Sequence, residues 1–320
     1  MAASFLPQAL RTLVSAILPN ATERFHRRRM GVACHRDLHR VLELTEQRYP
    51  APAETLATDA PGPVFLLSAG WRSGSTLVQR LVSSASGTLL WGEPYHHCAY
   101  IQRLAAALKP FTELWPSPEM LLDSQEAFRL SDSWIANLYP AFHDMRLAHR
   151  AFLDALLYAP AMRRGYNRWG LKEVRFGRDE IAYLRWLYPN ARFVLLVRNP
   201  RHAWRSYRGK IWYISWPDRP VYTAATFARV WRALAADFLI EAAASDTLLV
   251  RYEDLLQQGD TVAALEAHLN LQIDRSVLDN RISGMENARK PPPRSARVEA
   301  VEDWLIGRLT GPVARRLDYR

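Results

Sequence analysis

The stretch Val64-Phe65-Leu66-Leu67-Ser68-Ala69-Gly70-Trp71-Arg72-Ser73-Gly74-Ser75-Thr76-Leu77-Val78-Gln79-Arg80-Leu81-Val82 reads as strand, glycine-containing loop, hydroxyl residues and helix, in that order. The short continuous apolar run from Val64 to Ser68, preceded by the turn Pro61-Gly62-Pro63, is the pattern of a parallel strand buried on both faces. Leu77 with Leu81, and Val78 with Val82, form the apolar stripe of a helix that starts near Ser75. Between the two, glycine lets a backbone approach a ligand closely, and the first helical turn offers unpaired N–H groups and a partial positive charge. Ser75 and Thr76 add hydroxyl donors and Arg72 a full charge, so the loop has the parts of a phosphate cradle. It is not the nucleotide-triphosphate loop GxxxxGK[ST], because its spacing is shorter and Gly74, not a lysine, precedes Ser75. The plainer alternative is a tight strand-to-helix turn rich in small residues.

Working outward, similar apolar runs recur at 192–197 and 247–250, with shorter candidates at 169–171 and Leu89-Leu90. Long segments of helical periodicity separate them, for example Ala224 to Ala244. Strands alternating with helices predict an α/β fold with a mostly parallel central sheet covered by helices on both faces. Residues 1–60 read as a basic, helical N-terminal extension, and 61–320 as a single α/β domain. That domain carries a helical insertion at about 99–165 and ends in a proline-rich loop and a final helix. The chain has 320 residues, of which 49% are hydrophobic and 23% charged, which excludes a mainly disordered or fibrous protein. Two cysteines, Cys34 and Cys98, without ligand spacing argue against a disulfide scaffold or a structural zinc site.

No run reaches the ~18 apolar residues that a membrane span requires. Near the start, Leu10, Leu13, Val14, Ile17 and Leu18 make an amphipathic stripe, and the cluster Arg27, Arg28, Arg29 follows it, the reverse of a secretory signal. A packed terminal helix or a membrane-surface or partner helix both fit. The expectation is a soluble, cytoplasmic protein.

The run 192–197 leads into Arg198-Asn199-Pro200, placing Arg198 at the carboxyl end of a central strand, where open α/β sheets bind ligands. Pro200 suits a first helical turn, and Ser206 and Lys210, four apart, share a face of the helix that follows. An arginine fork, a hydroxyl and an ammonium converging there would bind a second phosphate; a solvated basic helix face is the alternative.

Taken together, Gly70 to Thr76, then Leu196-Val197-Arg198-Asn199-Pro200-Arg201 and a serine eight residues past Arg198, resemble the PAPS-dependent sulfotransferases, whose donor is 3′-phosphoadenosine 5′-phosphosulfate. The resemblance implies a P-loop-like sulfotransferase fold. It places Arg72, Ser73, Gly74, Ser75 and Thr76 on the 5′-phosphosulfate, with Arg198 and Ser206 on the 3′-phosphate and Lys210 beside them. Val250 to Leu255 looks like the family's Tyr-Glu-Asp segment, which puts Tyr252 near the adenine. Arg289-Lys290-Pro291 looks like its basic loop, which puts Lys290 over the nucleotide. The ending Ala314 to Tyr319 is similar to the terminal helix of bacterial and membrane-bound members, the tyrosylprotein sulfotransferases among them. In tyrosylprotein-type members a Gly-Glu after the first helix supplies the base, which implies Glu93. His96 and His97 are rivals, because other members use histidine. A lysine at the place of Lys172 touches the transferring group in similar members. Glu93 can also be read simply as an acid neutralising Arg72.

The resemblance implies no metal, since arginine and lysine can take magnesium's part. Of 42 basic residues only Lys109, Lys172, Lys210 and Lys290 are lysines, and three of these fall in segments singled out on other grounds. The expected partner is an acceptor bearing a hydroxyl, on a glycan, a natural product or a tyrosine; a homodimer is compatible with this. The formal charge of +10 keeps a nucleic-acid binder in play, although basic residues are scattered and no binding module stands out, so no nucleic-acid partner is expected. An ATP-dependent kinase on the same fold is the other rival. Trp115, Trp134, Trp212 and Trp216 could stack on an acceptor ring or serve only as core.

Overall fold

The computed structural model describes residues 37–50, 61–112, 115–122, 131–132, 135–208, 215–216, 219–257, 260–280 and 295–319, with the side chains of 215–220 excepted. The N-terminal stripe and Arg27 to Arg29, Trp134, Lys210, Trp212, Arg289, Lys290 and the side chain of Trp216 lie outside the described residues.

Five strands, β1 (Val64–Ser68), β2 (Thr88–Trp91), β3 (Arg168–Glu173), β4 (Arg192–Val197) and β7 (Thr247–Arg251), form one sheet in the order β2-β3-β1-β4-β7. Every pairing in it is parallel. Between them β5 (Ser215–Trp216) and β6 (Arg219–Pro220) pair as a small antiparallel ribbon. β1 lies in the middle with all five of its residues buried, which is why its sequence is an unbroken apolar run rather than an alternating one.

The helices are α1 (Leu38–Arg48), α2 (Ser75–Ser83), α3 (Tyr100–Ala107), α4 (Phe142–Leu153), α5 (Ala159–Met162), α6 (Arg178–Leu187), α7 (Pro200–Arg208), α8 (Ala224–Glu241), α9 (Tyr252–Leu256), α10 (Asp260–Leu269) and α11 (Ala296–Arg316). Strand alternation splits the core in two. On one face Val64, Leu66, Val194 and Leu196 pack with Val78, Leu81 and Val82 of α2 and Val262 and Leu265 of α10. On the other, Phe65, Leu67, Phe193 and Leu195 pack with α1, α6 and α8, through Leu38, Tyr183, Trp231 and Phe238 among others. The fold is α/β with helices on both faces, as the alternation of apolar runs and helical periods requires. No helix among the described residues is long and apolar enough to cross a membrane.

The connection from β1 passes over β3 to reach β2 at one edge, whereas β4 leads to β7 at the other. The crossovers of the neighbours β1 and β4 therefore diverge, and a crevice opens between their carboxyl ends, the place where open sheets hold ligands.

Candidate active site

The loop after β1 is shaped by its left-handed residues. Gly70, Arg72 and Gly74 have φ of 82°, 62° and 90°, so every second residue is left-handed. Such alternation turns successive N–H groups toward one concavity, an anion nest. Among the described residues the amides of Arg72, Ser73, Gly74, Ser75 and Thr76 donate no hydrogen bond. Ser73 instead braces the loop from within, its Oγ donating to the Gly70 carbonyl at 3.1 Å. Ser75 opens α2 and is buried, whereas Thr76 is exposed. Gly74 is required on two counts: its φ suits glycine, and a Cβ there would fall 2.1 Å from Cδ2 of Tyr252.

Arg198 and Asn199 leave the end of β4 directly beside this loop. The Arg198 guanidinium donates from Nη1 to the Arg72 carbonyl at 2.9 Å and lies over the Tyr252 ring, 4.5 Å from its centroid. Among the described residues its buried Nε has no partner. Arg72 in turn donates from Nε to Ser206 Oγ on α7 at 3.1 Å, across 134 positions of sequence. Burial first, and the neighbouring Arg198 second, hold the Arg72 guanidinium below the usual arginine range. Among the described residues neither Arg72 nor Arg198 meets a carboxylate. Elsewhere partly buried arginines do: Arg175 with Glu173, Arg185 with Glu241 and Asp246, Arg208 with Glu299 and Glu302. Two cationic forks beside a nest of free amides, with no acid among them, form a site for an anion.

At the neighbouring edge Glu93, just after β2, accepts from Lys172 Nζ at 2.5 Å. Lys172 sits near the end of β3 and its side chain is 9% exposed, against 23% for Glu93. The ionic partner of Glu93 is thus Lys172, not Arg72. His96 and His97 follow with their rings 4.0 Å apart, the first half-buried and the second exposed. Burial, then His97 and Arg175, push the His96 imidazole below its usual range.

Three further contacts shape the site; the first joins two segments that the sequence singled out, and the roles of Trp231 and Arg175 gave no signal there. Glu253 ties the end of β4 to the chain terminus, accepting from Asn199 N at 3.0 Å and from the Tyr319 hydroxyl at 2.8 Å. Trp231 of α8 donates from Nε1 to the Arg198 carbonyl at 3.0 Å. Arg175, 1% exposed at its side chain, pairs with Glu173 and donates to the His96 carbonyl, which fixes the segment after Glu93. Trp115, 40% exposed, packs edge-on against Phe111 and Tyr139.

Residues 63–275, about two thirds of the chain, match the family model described as the sulfotransferase family. No curated protein matches the chain. Among solved structures it is similar to the sulfotransferase domain of the Synechococcus PCC 7002 olefin synthase, at 17% identity over 84% of this chain and 99% of that one, with a TM-score of 0.45. It is also similar to a mouse sulfotransferase complexed with PAP, at 12% identity over 90% and 94% of the two chains, with a TM-score of 0.42. A sulfotransferase from Alicyclobacillus acidocaldarius follows at 16% identity over 78% and 96%, with a TM-score of 0.37.

Proposed function

The chain belongs to the sulfotransferase family, and from that premise we propose that it moves the sulfuryl group of 3′-phosphoadenosine 5′-phosphosulfate to an acceptor hydroxyl by in-line displacement. The observation that carries this reading is the pair Arg72 and Arg198, two guanidinium groups that meet no carboxylate among the described residues, at a loop whose amides find no acceptor there. A donor with phosphates at both its 5′ and 3′ positions matches two cationic forks reached from two different strands. An ATP-dependent kinase fits less well, since Gly74 stands where its loop lysine would be.

In this reading the amides of Arg72 to Thr76, the hydroxyls of Ser75 and Thr76 and the Arg72 fork hold the 5′ side. Arg198 and Ser206 hold the 3′-phosphate, with Lys210 beside them. Tyr252, whose ring lies against Gly74 and under Arg198, borders the adenine, and Lys290 adds a positive charge to the nucleotide side. The donor, when bound, supplies an activated sulfuryl group. Glu93 takes the proton from the acceptor hydroxyl, with His96 or His97 as the base if Glu93 is not. Lys172 and Arg72 stabilise the charge that builds on the transferring group and the leaving oxygen, with no metal. The Glu93–Lys172 contact keeps base and cation at one point. The acceptor carries a hydroxyl, and the protein works in the cytoplasm as one domain over 61–320 with its helical extension.

Thermal unfolding with 3′,5′-bisphosphoadenosine, ATP and AMP at equal concentration tests the donor. At ~100 times its dissociation constant a ligand adds ~2.7 kcal/mol, which for a chain of this length raises Tm by about 4 °C. A rise with the bisphosphate alone is the expected result. A rise with ATP alone would replace this reading by a kinase, and no rise with any of the three would remove the nucleotide site.

A further inference from the structure

The peptide that joins Arg198 to Asn199 is held at both ends. Its carbonyl accepts from Trp231 Nε1 at 3.0 Å, and its N–H donates to Glu253 Oε1 at 3.0 Å. The bond is trans, so these two groups point in opposite directions. Partners on opposite sides therefore fix the rotation of the peptide plane.

The groups assigned to the 3′-phosphate flank this plane. Arg198 precedes it, and its orientation sets the direction in which the Arg198 side chain leaves the end of β4. Asn199 follows it and caps α7, its Oδ1 accepting from Arg201 N at 3.0 Å. Helix α7 in turn carries Ser206.

Both partners of the peptide touch one further residue, Tyr319. Its hydroxyl donates to Glu253 Oε2 at 2.8 Å, so the carboxylate has one oxygen on Asn199 and the other on the phenol. Its ring meets that of Trp231 edge-on, with centroids 6.4 Å apart, and the Arg251 guanidinium lies 5.0 Å from its centroid. Burial, and then the Glu253 carboxylate, raise the phenol above its ordinary range, which keeps the hydroxyl a donor at neutral pH.

The local sequence explains how a residue beyond α11 comes to lie here. The helix ends at Arg316, and the chain reverses in a Schellman turn. Tyr319 N donates to the Ala314 carbonyl at 2.9 Å, and Asp318 N to the Arg315 carbonyl at 3.2 Å. Asp318 takes the left-handed place usual for glycine, with φ of 57°, a conformation that aspartate tolerates better than most residues. The turn folds Tyr319 back beside Ala314, and both are buried.

Anchoring α11 does not account for this arrangement. The ring alone would serve that purpose, and α11 is already fastened to α7 by Glu299, Glu302 and Asp303, which pair with Arg208 and Arg205. The hydroxyl instead reaches a carboxylate whose other oxygen holds the backbone between Arg198 and α7.

We propose that Tyr319 is a positioning residue of the donor site: through Glu253 and Trp231 it fixes the 198–199 peptide and so aims Arg198 at the 3′-phosphate. The aim at a 3′-phosphate rests on the sulfuryl-transfer reading above; the hold on the peptide does not.

Tyr319→Phe removes the hydroxyl and keeps the ring, and two measurements on the full chain follow its effect. The first is hydrogen exchange at the Asn199 amide without nucleotide, which should quicken about tenfold while the amides of β1 and β4 exchange as in the parent chain. The second is calorimetric titration with 3′,5′-bisphosphoadenosine and with AMP. Affinity for the bisphosphate should fall about fivefold and that for AMP less than about twofold, so the preference for a 3′-phosphate shrinks. In an Arg198→Ala chain, Tyr319→Phe should change the remaining preference by less than about twofold, because the side chain being aimed is gone. Glu253→Ala should reproduce both effects, and Glu253→Gln, which keeps an acceptor for Asn199, should restore part of each.

Unchanged exchange at Asn199 would overturn the hold on the peptide. Faster exchange with equal losses for the two nucleotides, or a loss of preference that persists undiminished without Arg198, would overturn the aiming of Arg198. A parent chain that does not prefer the bisphosphate to AMP would overturn the donor reading instead, and exchange at Asn199 would still decide whether Tyr319 holds the peptide.

Discussion

Arg198 donates from Nη1 to the backbone carbonyl of Arg72 at 2.9 Å, so the residue just past β4 holds the loop that follows β1. The two strands are neighbours with diverging crossovers, and this bond spans the crevice between them. One Arg198 nitrogen shapes the loop, its buried Nε has no partner among the described residues, and in the proposed reading the same fork meets the 3′-phosphate. That double role makes the effects of its removal separable.

Arg198→Ala should therefore weaken two ligands unequally. AMP loses only what the relaxed loop costs. A 3′,5′-bisphosphate also loses a charge-assisted hydrogen bond of about 1.5–3 kcal/mol, roughly a ten- to hundredfold further drop. Calorimetric titration of both nucleotides measures the difference. Equal losses would assign Arg198 to holding the loop and leave the 3′-phosphate without its arginine.

Gly74→Ala should be destabilising for two separable reasons. The new Cβ would overlap the Tyr252 ring, and alanine resists a φ of 90°. A loss of about 1–3 kcal/mol in urea unfolding is expected. In the double variant Gly74→Ala/Tyr252→Ala the overlap is relieved and the backbone strain is not, so part of the loss should return. Full additivity of the two single losses would show that the ring already moves aside.

The loop and its helix were legible because β1 is buried on both faces and α2 on one, which writes an apolar run followed by an i, i+4 stripe. Arg198 was legible because β4 ends in the same manner. What could not be read is which separated segments meet. Arg72 with Ser206 and Lys172 with Glu93 depend on strand order, which no local pattern encodes. The positive φ of Arg72 is hidden too, since a non-glycine residue there gives no sign of it. Glu93 read as a neutraliser of Arg72 was reasonable from proximity in sequence to α2, but β3 lies between β1 and β2 and presents Lys172 first.

Glu180 predicts a pH dependence of folding. Burial pushes its carboxyl up to about 7, although its Oε2 accepts from Gly177 N at 2.8 Å at the start of α6. The folded chain then binds this proton more tightly than the unfolded one, whose glutamate titrates near its ordinary value. Its contribution is greatest at acid pH, declines as pH rises from about 4.5, and reaches its minimum above about 7. Glu180→Gln keeps an oxygen for Gly177 and cannot ionise. Relative to the parent chain it should gain stability progressively from pH 5 to pH 8 in denaturant unfolding. A constant difference across that range would mean that Glu180 titrates alike in both states.

Glu93→Gln separates chemistry from binding. Glutamine keeps an oxygen for Lys172, so the buried ammonium retains a neutral partner and the ends of β2 and β3 stay joined. The Arg72 and Arg198 forks are untouched, so affinity for 3′,5′-bisphosphoadenosine should stay near that of the parent chain. Turnover should fall by roughly 10²–10⁴, the usual worth of a positioned base. His96→Asn and His97→Asn, assayed alongside, should leave turnover within a few-fold, because His96 is half-buried and His97 exposed, and neither holds Lys172. If turnover survives in Glu93→Gln and collapses in one histidine variant, the base moves to that ring and Glu93 is reduced to holding Lys172. If nucleotide affinity collapses together with turnover in Glu93→Gln, the carboxylate is acting through the fold of the anion loop and not as the base.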